Sequence, residues 1–346
     1  GKQTLRSLRR SQYRFRLVKT RGWRFWVDRG GTFTDIVAVD PRGQRQILKV
    51  LSVSTHYDDA IVEGIRRAMC AESGGQYDPQ QIEEIRIGTT VATNAFLERR
   101  GQRTALVTTL GFRDILEIRA QNRPRLFDLH IQKIPPLYDL VTEVLERTLA
   151  TGKIEIPLNE EIALYELQRL KDLGVKSLAV AFMHATINPD NELAMLKLAK
   201  RAGFENISLS HQISQIAKLV PRAETCVVDA YLNPVLSSYT SELQAQLNFP
   251  DVLFMQSHGG LCKQQEFRGC NALLSGPAGG LVGAVRTCKE AGFEKVITFD
   301  MGGTSTDVAI FDGAFRLNHE PEFHGISLQT PMLDIHTVAA GGGSII

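Results

Sequence analysis

At 346 residues, 43% hydrophobic and 23% charged, the chain has the composition of a globular protein with room for two domains. No apolar run approaches the roughly 20 residues of a membrane-spanning helix, which excludes a helical membrane protein. Its five cysteines (70, 226, 262, 270, 288) include no Cys-x-x-Cys pair, so a cysteine zinc site is disfavoured and reduced thiols of a cytoplasmic protein are expected. The net charge of +2 hides an asymmetry: residues 1–22 hold eight basic and no acidic side chains, leaving −6 on the remainder. Such a basic start suits nucleic-acid binding or an organelle transit peptide. The reading adopted is a disordered extension ahead of a domain that begins near Trp23; nucleic-acid binding is not expected, because no basic stripe continues beyond it.

The first predicted unit is an apolar run, Phe25–Val27, then Asp28-Arg-Gly-Gly-Thr-Phe-Thr-Asp35 and a second run, Ile36–Val39: strand, glycine turn, strand. Gln46–Leu51 reads as a third strand. Asp58 is placed to cap a helix through about Cys70, with Ala60, Ile61, Ile65 and Ala68 on one face. Ile85–Ile87 leads as a short strand into Gly88-Thr-Thr, followed by a helix over Val91–Arg99 and a buried-type strand at Thr104–Thr109. Residues 124–157 show weak periodicity and a Pro135-Pro136 break, marking a loop-rich connection. Helices and strands then alternate: a helix from Asn159 to Gly174, a strand at Ser177–Met183, a helix from Asp190 to Gly203 and a strand at Ile207–Ser210. This pattern implies a parallel sheet in an inserted α/β subdomain at about 140–225. A helix over Tyr231–Leu247 and a strand at Val252–Gln256 follow.

Near Val296 the opening unit returns. Aligning 28–40 on 300–312 gives seven identities, with Asp300-Met-Gly-Gly-Thr-Ser-Thr-Asp307 repeating the turn 272 residues later. Glycine pairs let backbone N–H groups approach an anion, and the threonine hydroxyls add donors. A flanking carboxylate would repel phosphate unless a cation intervenes, so Asp28 and Asp300 suit magnesium. One such hairpin alone reads better as a turn closed by its own Asp and Thr. The repetition favours two loops that face one ligand.

These stretches, with Gly88–Ala95, Gly111–Asp114, Gln121–Pro124, Leu274–Gly280 and Asp334–Ser344 in the same order, resemble the hydantoinase A and 5-oxoprolinase family. That family is part of the actin, hexokinase and Hsp70-like ATPase superfamily. The resemblance runs from about residue 23 to 346. Arg29 and Leu48-Lys-Val-Leu-Ser52 look most like the ATP-dependent 5-oxoprolinase branch. It implies an α/β fold of duplicated, ribonuclease H-like lobes with ATP in the cleft between them. The expected first lobe covers 23–290 and a second begins in 291–346; only 34 residues follow Asp312, so that second lobe is expected to be cut short.

The resemblance implies magnesium at Asp28 and Asp300, and phosphates on Gly30, Gly31, Thr32, Thr34, Gly302, Gly303, Thr304 and Thr306. Thr89 and Thr90 align the acceptor, though Thr90 equally suits a helix cap. Asn94, Gln121 and Arg123 are candidate substrate contacts, with a solvated loop the alternative for the last two. Ser275–Gly280 reads as a packing and hinge element, with a helix N-terminus near phosphate the alternative, and Gly341–Gly343 as a third anion loop, with flexible terminal residues the alternative. His258 and His336 read as structural. No Gly-x-x-x-x-Gly-Lys-Ser/Thr loop or nucleophile elbow is present. The implied reaction is ATP-dependent opening of a cyclic amide, 5-oxo-L-proline to L-glutamate. Hydrolysis is expected to need a hydantoinase B-type partner or a further C-terminal region, with homo-oligomers possible. The rivals are a hydantoin- or ketone-activating enzyme of the same family and a non-catalytic fragment.

Overall fold

The computed structural model describes residues 22–73, 77–121, 127, 129–130, 133–302, 306–338 and 340–343; the basic stretch 1–21 lies outside them. Strands β1 (Trp23–Arg29) and β2 (Phe33–Val39) form the first hairpin, with Asp28 opposite Asp35, and β3 (Arg45–Leu51) pairs antiparallel with β2. Helix α1 (Ala60–Ser73) is capped by Asp59, one residue later than the sequence suggests, whose Oδ1 accepts from Ile61 N at 2.8 Å. Its buried stripe of Ala60, Ile61, Ile65 and Ala68 covers the sheet face of Phe25, Val27, Ile36 and Ala38. Burying Ile61 and Ile65 contributes roughly 1.5–3 kcal/mol each. Next, β4 (Ile82–Thr89) pairs parallel with β1 and feeds α2 (Val91–Leu97).

The chain then leaves this sheet. Strand β5 (Thr104–Thr109), α3 (Ile115–Ile118), β6 (Leu140–Val144), the hairpin β7 (Arg147–Thr148) and β8 (Ile154–Ile156), α4 (Glu160–Asp172), β9 (Ser177–Ala181), α5 (Asp190–Arg201), β10 (Asn206–Leu209) and α6 (Ser210–Ile213) follow. A second, parallel sheet runs β10-β9-β5-β6. So Thr104–Thr109, read from the sequence as a strand of the lobe, is central to the smaller sheet, which starts well before residue 140. All six of its residues are buried, and such a run suits the middle of either sheet equally. β6 lies in the stretch read as loop.

Helix α7 (Leu219–Leu247) brings the chain back, and β11 (Val252–Met255) and β12 (Leu261–Lys263) complete the large sheet in the order β12-β11-β4-β1-β2-β3. Short α8 (Gly269–Ala272) and longer α9 (Ser275–Glu290) lead to the second copy. Only the second half of α7 was foreseen, from Tyr231. Its first half buries Arg222, Glu224, Thr225 and Asp229 in polar networks and so shows no amphipathic stripe.

The second hairpin pairs β13 (Val296–Met301) with β14 (Thr306–Phe311), and Asp300 opposes Asp307 as Asp28 opposes Asp35. Residues 313–333 carry β15 (Leu317–Asn318), β16 (Glu322–Phe323), β17 (Ile326–Ser327) and β18 (Met332–Leu333). Strand β19 (Ile335–Val338) then pairs with β14, setting Thr306 opposite Val338 just as Thr34 opposes Val50 in the first copy. The duplication thus extends to three strands, in the order β13-β14-β19. One face differs. Ile297, Phe299 and Ile310 are 74%, 66% and 48% exposed, whereas their counterparts Phe25, Val27 and Ala38 are 0%, 5% and 0% exposed. No equivalent of α1 covers this face among the described residues. Contiguous apolar surface of this kind drives association. We therefore expect the 346-residue chain to self-associate with concentration and Phe299→Lys to suppress it in sedimentation velocity; identical sedimentation of both proteins would refute that use of the face.

Candidate phosphate and metal site

The two hairpin acids converge on α9. A Cβ placed on Gly276 or Gly88 would lie 3.7 Å from Asp28 Oδ1, and one on Gly280 would lie 3.7 Å from Asp300 Oδ2. Gly276 and Gly280 are four residues apart and therefore share a helix face. That face lies within contact distance of both carboxylates, so the stretch read as a packing element is packed against the candidate site itself. The start of α9 is tied to the neighbouring loop: Ser275 Oγ donates to Thr89 O at 2.8 Å, and Leu274 N donates to Thr93 Oγ1 at 3.1 Å. Its unpaired N–H groups add partial positive charge there.

The Asp28 side chain reaches solvent, yet surrounding protein raises its pKa above 3.8; Asp35 and Asp300 raise it further and Lys49 partly opposes them. Lys49 itself pairs with Asp35 at 2.8 Å. Among the described residues no group of three His, Cys, Asp or Glu could hold a metal. Asp28 and Asp300 offer hard oxygen donors and repel one another. The two would therefore suit a hard divalent cation such as magnesium, which would supply the positive charge they lack.

The first turn is braced from behind. Ser52 Oγ donates to Gly30 O at 2.7 Å, Ser52 N donates to Thr32 O at 2.9 Å, and the buried Thr34 hydroxyl bonds Ser52 Oγ at 3.0 Å. Thr34 is therefore part of the brace, which leaves exposed Gly31 and Thr32 at the rim. Thr306 does the same in the second copy, donating to Ala340 O at 2.6 Å. Gly342 N reaches Gly302 O at 2.9 Å, so the last glycine stretch joins the second turn. Gly303 and Thr304 lie outside the described residues.

Thr90 and Asn94 adjoin the first turn. Thr90 Oγ1 donates to Arg29 O at 3.1 Å and makes no side-chain cap, and Asn94 Nδ2 would be 3.9 Å from a Cβ on Gly31. Thr89 is fully buried and accepts from Val91 N at 3.3 Å, facing away from the rim. Gln121 lines a cavity of about 1040 Å³ bounded by α3, the start of α7 and residues 320–329, whose lining includes neither Asp28 nor Asp300 nor either turn. Arg123 lies outside the described residues. His258 accepts from Gly260 N at 3.2 Å, a turn-closing role. Sequence reasoning assigned Ser52 no site role, naming it only at the end of Leu48–Ser52; its signal is that it lies two residues past Val50, which pairs with Thr34 beside the turn. It also missed the i, i+4 glycines of α9, visible in Gly-Pro-Ala-Gly-Gly.

Models of the hydantoinase/oxoprolinase N-terminal region and of the hydantoinase/oxoprolinase domain match residues 24–203 and 222–346. The chain belongs to the hydantoinase/oxoprolinase family. It is 44% identical over 93% of its length to 5-oxoprolinase 1 of Arabidopsis thaliana and 40% identical over 93% to 5-oxoprolinase of Saccharomyces cerevisiae, and spans 28% of each. Among solved structures, ATP-dependent caprolactamase from Pseudomonas jessenii superimposes with a TM-score of 0.81 at 27% identity, over 93% of this chain and 48% of that one. Nucleotide-free acetone carboxylase superimposes at 0.78 over the same shares, with 23% identity, a likeness of fold. The fold is accordingly the α/β architecture of duplicated ATPase lobes. No helix of the described residues is long and apolar enough to cross a membrane.

Raised above 3.8, the Asp28 pKa makes the ionised carboxyl oppose folding: its contribution favours the fold below 3.8 and is lost as pH rises through the raised value. Asp28→Asn should raise the thermal midpoint at pH 7, with the gain shrinking towards pH 4. A lower midpoint at neutral pH would contradict this account.

Proposed function

We propose that this chain is the nucleotide-handling part of an enzyme that opens a cyclic amide with ATP, converting 5-oxo-L-proline to L-glutamate as ATP becomes ADP and phosphate. The observation that carries the reading is the convergence of Asp28 and Asp300, from two copies of one glycine turn, on the glycine face of α9. Gly31, Thr32 and Gly302 supply backbone donors and a hydroxyl for phosphates, with Gly303 and Thr304 assigned to the same role by the repeat; Gly30, expected to join them, instead closes the turn by donating its N–H to Phe33 O at 3.1 Å. Magnesium at Asp28 and Asp300 would supply charge neutralisation for the phosphates.

An unstrained lactam resists water, because expelling its amine is unfavourable. Moving the terminal phosphoryl group of ATP onto the lactam oxygen breaks the bond to ADP and leaves the ring carbon open to water. The protein's share is positioning and electrostatics. Thr90 and Asn94, beside the first turn, are assigned to hold the amide. Ring hydrolysis is assigned to a hydantoinase B-type partner or a further part of a longer chain. The caprolactamase relative, 30% identical, is named an alpha subunit. The 5-oxoproline reading over other amides is supported by the 39–44% identity to proteins named 5-oxoprolinase.

Calorimetric titration with Mg-ATP should show binding that Asp28→Ala abolishes, with Asp300→Ala equivalent. The full-length protein should then release phosphate in proportion to 5-oxoproline consumed. Tight Mg-ATP binding retained by Asp28→Ala would sink the assignment.

A further inference from the structure

The two copies differ most in the link between their second and third strands. It spans residues 40–44 in the first copy and 312–334 in the second. The longer link reaches into the first lobe. Phe323, Ile326, Leu328 and Met332 are buried within that lobe's main core, and Phe323 packs 5.0 Å from Phe96 of α2, ring centre to ring centre. Ser327 N donates to Glu224 Oε2 at 3.2 Å, Gln329 N to Thr225 Oγ1 at 2.9 Å, and Thr330 Oγ1 to Cys270 O at 3.2 Å. Arg119 Nη1 of the loop after α3 donates to Gly325 O at 3.0 Å. Both ends of the link continue into β14 and β19, the strands that hold the second turn.

We propose that residues 313–331 are an interlobe clasp that fixes Asp300 opposite Asp28, with Glu224 as its titratable anchor and positioning residue. The clasp's effect on nucleotide rests on reading that acid pair as the phosphate and metal site; its mechanical action does not.

Glu224 is 6% exposed, and its Oε1 lies 3.0 Å from Arg119 Nε. The Arg119 donors point instead at Leu116 O, Gly325 O and Ile134 O, so Oε1 has a nearby charge and no aligned hydrogen bond. Glu322 of β16 adds a like charge from the clasp side, and the Ser327 amide is the one backbone donor. Burial dominates and pushes the carboxyl from 4.5 up to about 7, against the pull of Arg119 and Ser327. The closed clasp therefore favours the protonated acid. Its stabilisation is fully present below 4.5 and is lost as pH rises through about 7, so the clasp loosens above neutrality.

Hydrogen exchange on the full-length protein tests the anchor. After correction for intrinsic rates, protection of the Ser327 and Gln329 amides should fall about tenfold between pH 6 and pH 8 in the wild type. In Glu224→Gln it should stay constant and exceed the wild type at pH 8. Parallel pH profiles would overturn the anchor role. Nitroxides at the exposed Ile47 and Ile297, with Cys70 and Cys288 replaced by Ser, report the lobe spacing by electron–electron resonance. Phe323→Ala should broaden that distance distribution. Thr225→Val, a milder change, should do so in smaller degree and serves if Phe323→Ala fails to fold. Unchanged distributions would overturn the clasp. Variants that broaden the distance should also weaken Mg-ATP binding about fivefold or more. Unweakened binding in broadened variants would overturn its control of the acid pair. Absence of Mg-ATP binding in the wild type would defeat the functional reading, while exchange and distance still judge the clasp.

Discussion

Two carboxylates drawn to one face of α9 impose the terms on which the surrounding structure is built. Surrounding protein raises the cost of ionising Asp28, and the like charges of Asp35 and Asp300 add to it. The glycines at 88, 276 and 280 face those acids, and a Cβ at any of them would touch a carboxylate oxygen at 3.7 Å, an ordinary contact distance. The N-terminus of a sixteen-residue helix offsets part of the repulsion. Asp28 and Asp300 are the residues that would hold a divalent cation, which would supply positive charge to offset the rest.

The same thirteen-residue motif meets two environments. In both copies a buried threonine, Thr34 or Thr306, gives its hydroxyl to the segment just past the third strand. That shared brace holds each turn in shape. Beyond it the copies diverge. The first lies in a six-stranded sheet over a large core, whereas β13, β14 and β19 share a small cluster of Ala278, Leu281, Val285, Ala309, Phe311 and Leu333. Three strands on one helix bury little apolar area for the backbone they order. Phe323, Ile326, Leu328 and Met332 sit instead in the first lobe's core, so the second turn is stabilised largely through its neighbour.

Much of this architecture was legible in the sequence because it is local. The hairpins announce themselves through alternating runs around paired glycines, and Asn159 caps its helix as its type and place suggest, accepting from Ile162 N at 3.0 Å. Topology was less legible. Thr104–Thr109 and Val252–Met255 are both short apolar runs, and only long-range pairing decides which lies beside β4. Helix α7 hid its first half because Arg222 and Asp229 look like surface residues while fully buried. At the candidate site, the acids and glycines could be read from repetition. The direction of a hydroxyl could not: Thr34, Thr89 and Thr306 look like rim donors in sequence and point inward in space.

The hidden half of α7 also explains how the inserted sheet and the first turn are held in one frame. Arg222 donates to Phe182 O at 2.6 Å and to Ser210 Oγ at 3.0 Å, and Asp229 accepts from Ser208 Oγ at 2.7 Å and pairs with Arg268 at 2.9 Å. Buried polar contacts of this kind have one good geometry, so they fix the register of the helix against the smaller sheet. Farther along, Tyr239 lies under the Arg29 guanidinium, 4.8 Å from its ring centre, and Arg29 faces the α1 cap Asp59 at 3.7 Å. The backbone carbonyl of that same Arg29 receives both Thr90 contacts. The equivalent position in the second copy is Met301, which is exposed and has no such tether among the described residues. One helix therefore registers the insertion at its first half and the turn beside Asp28 at its second. The second turn, lacking that tether, depends on the clasp.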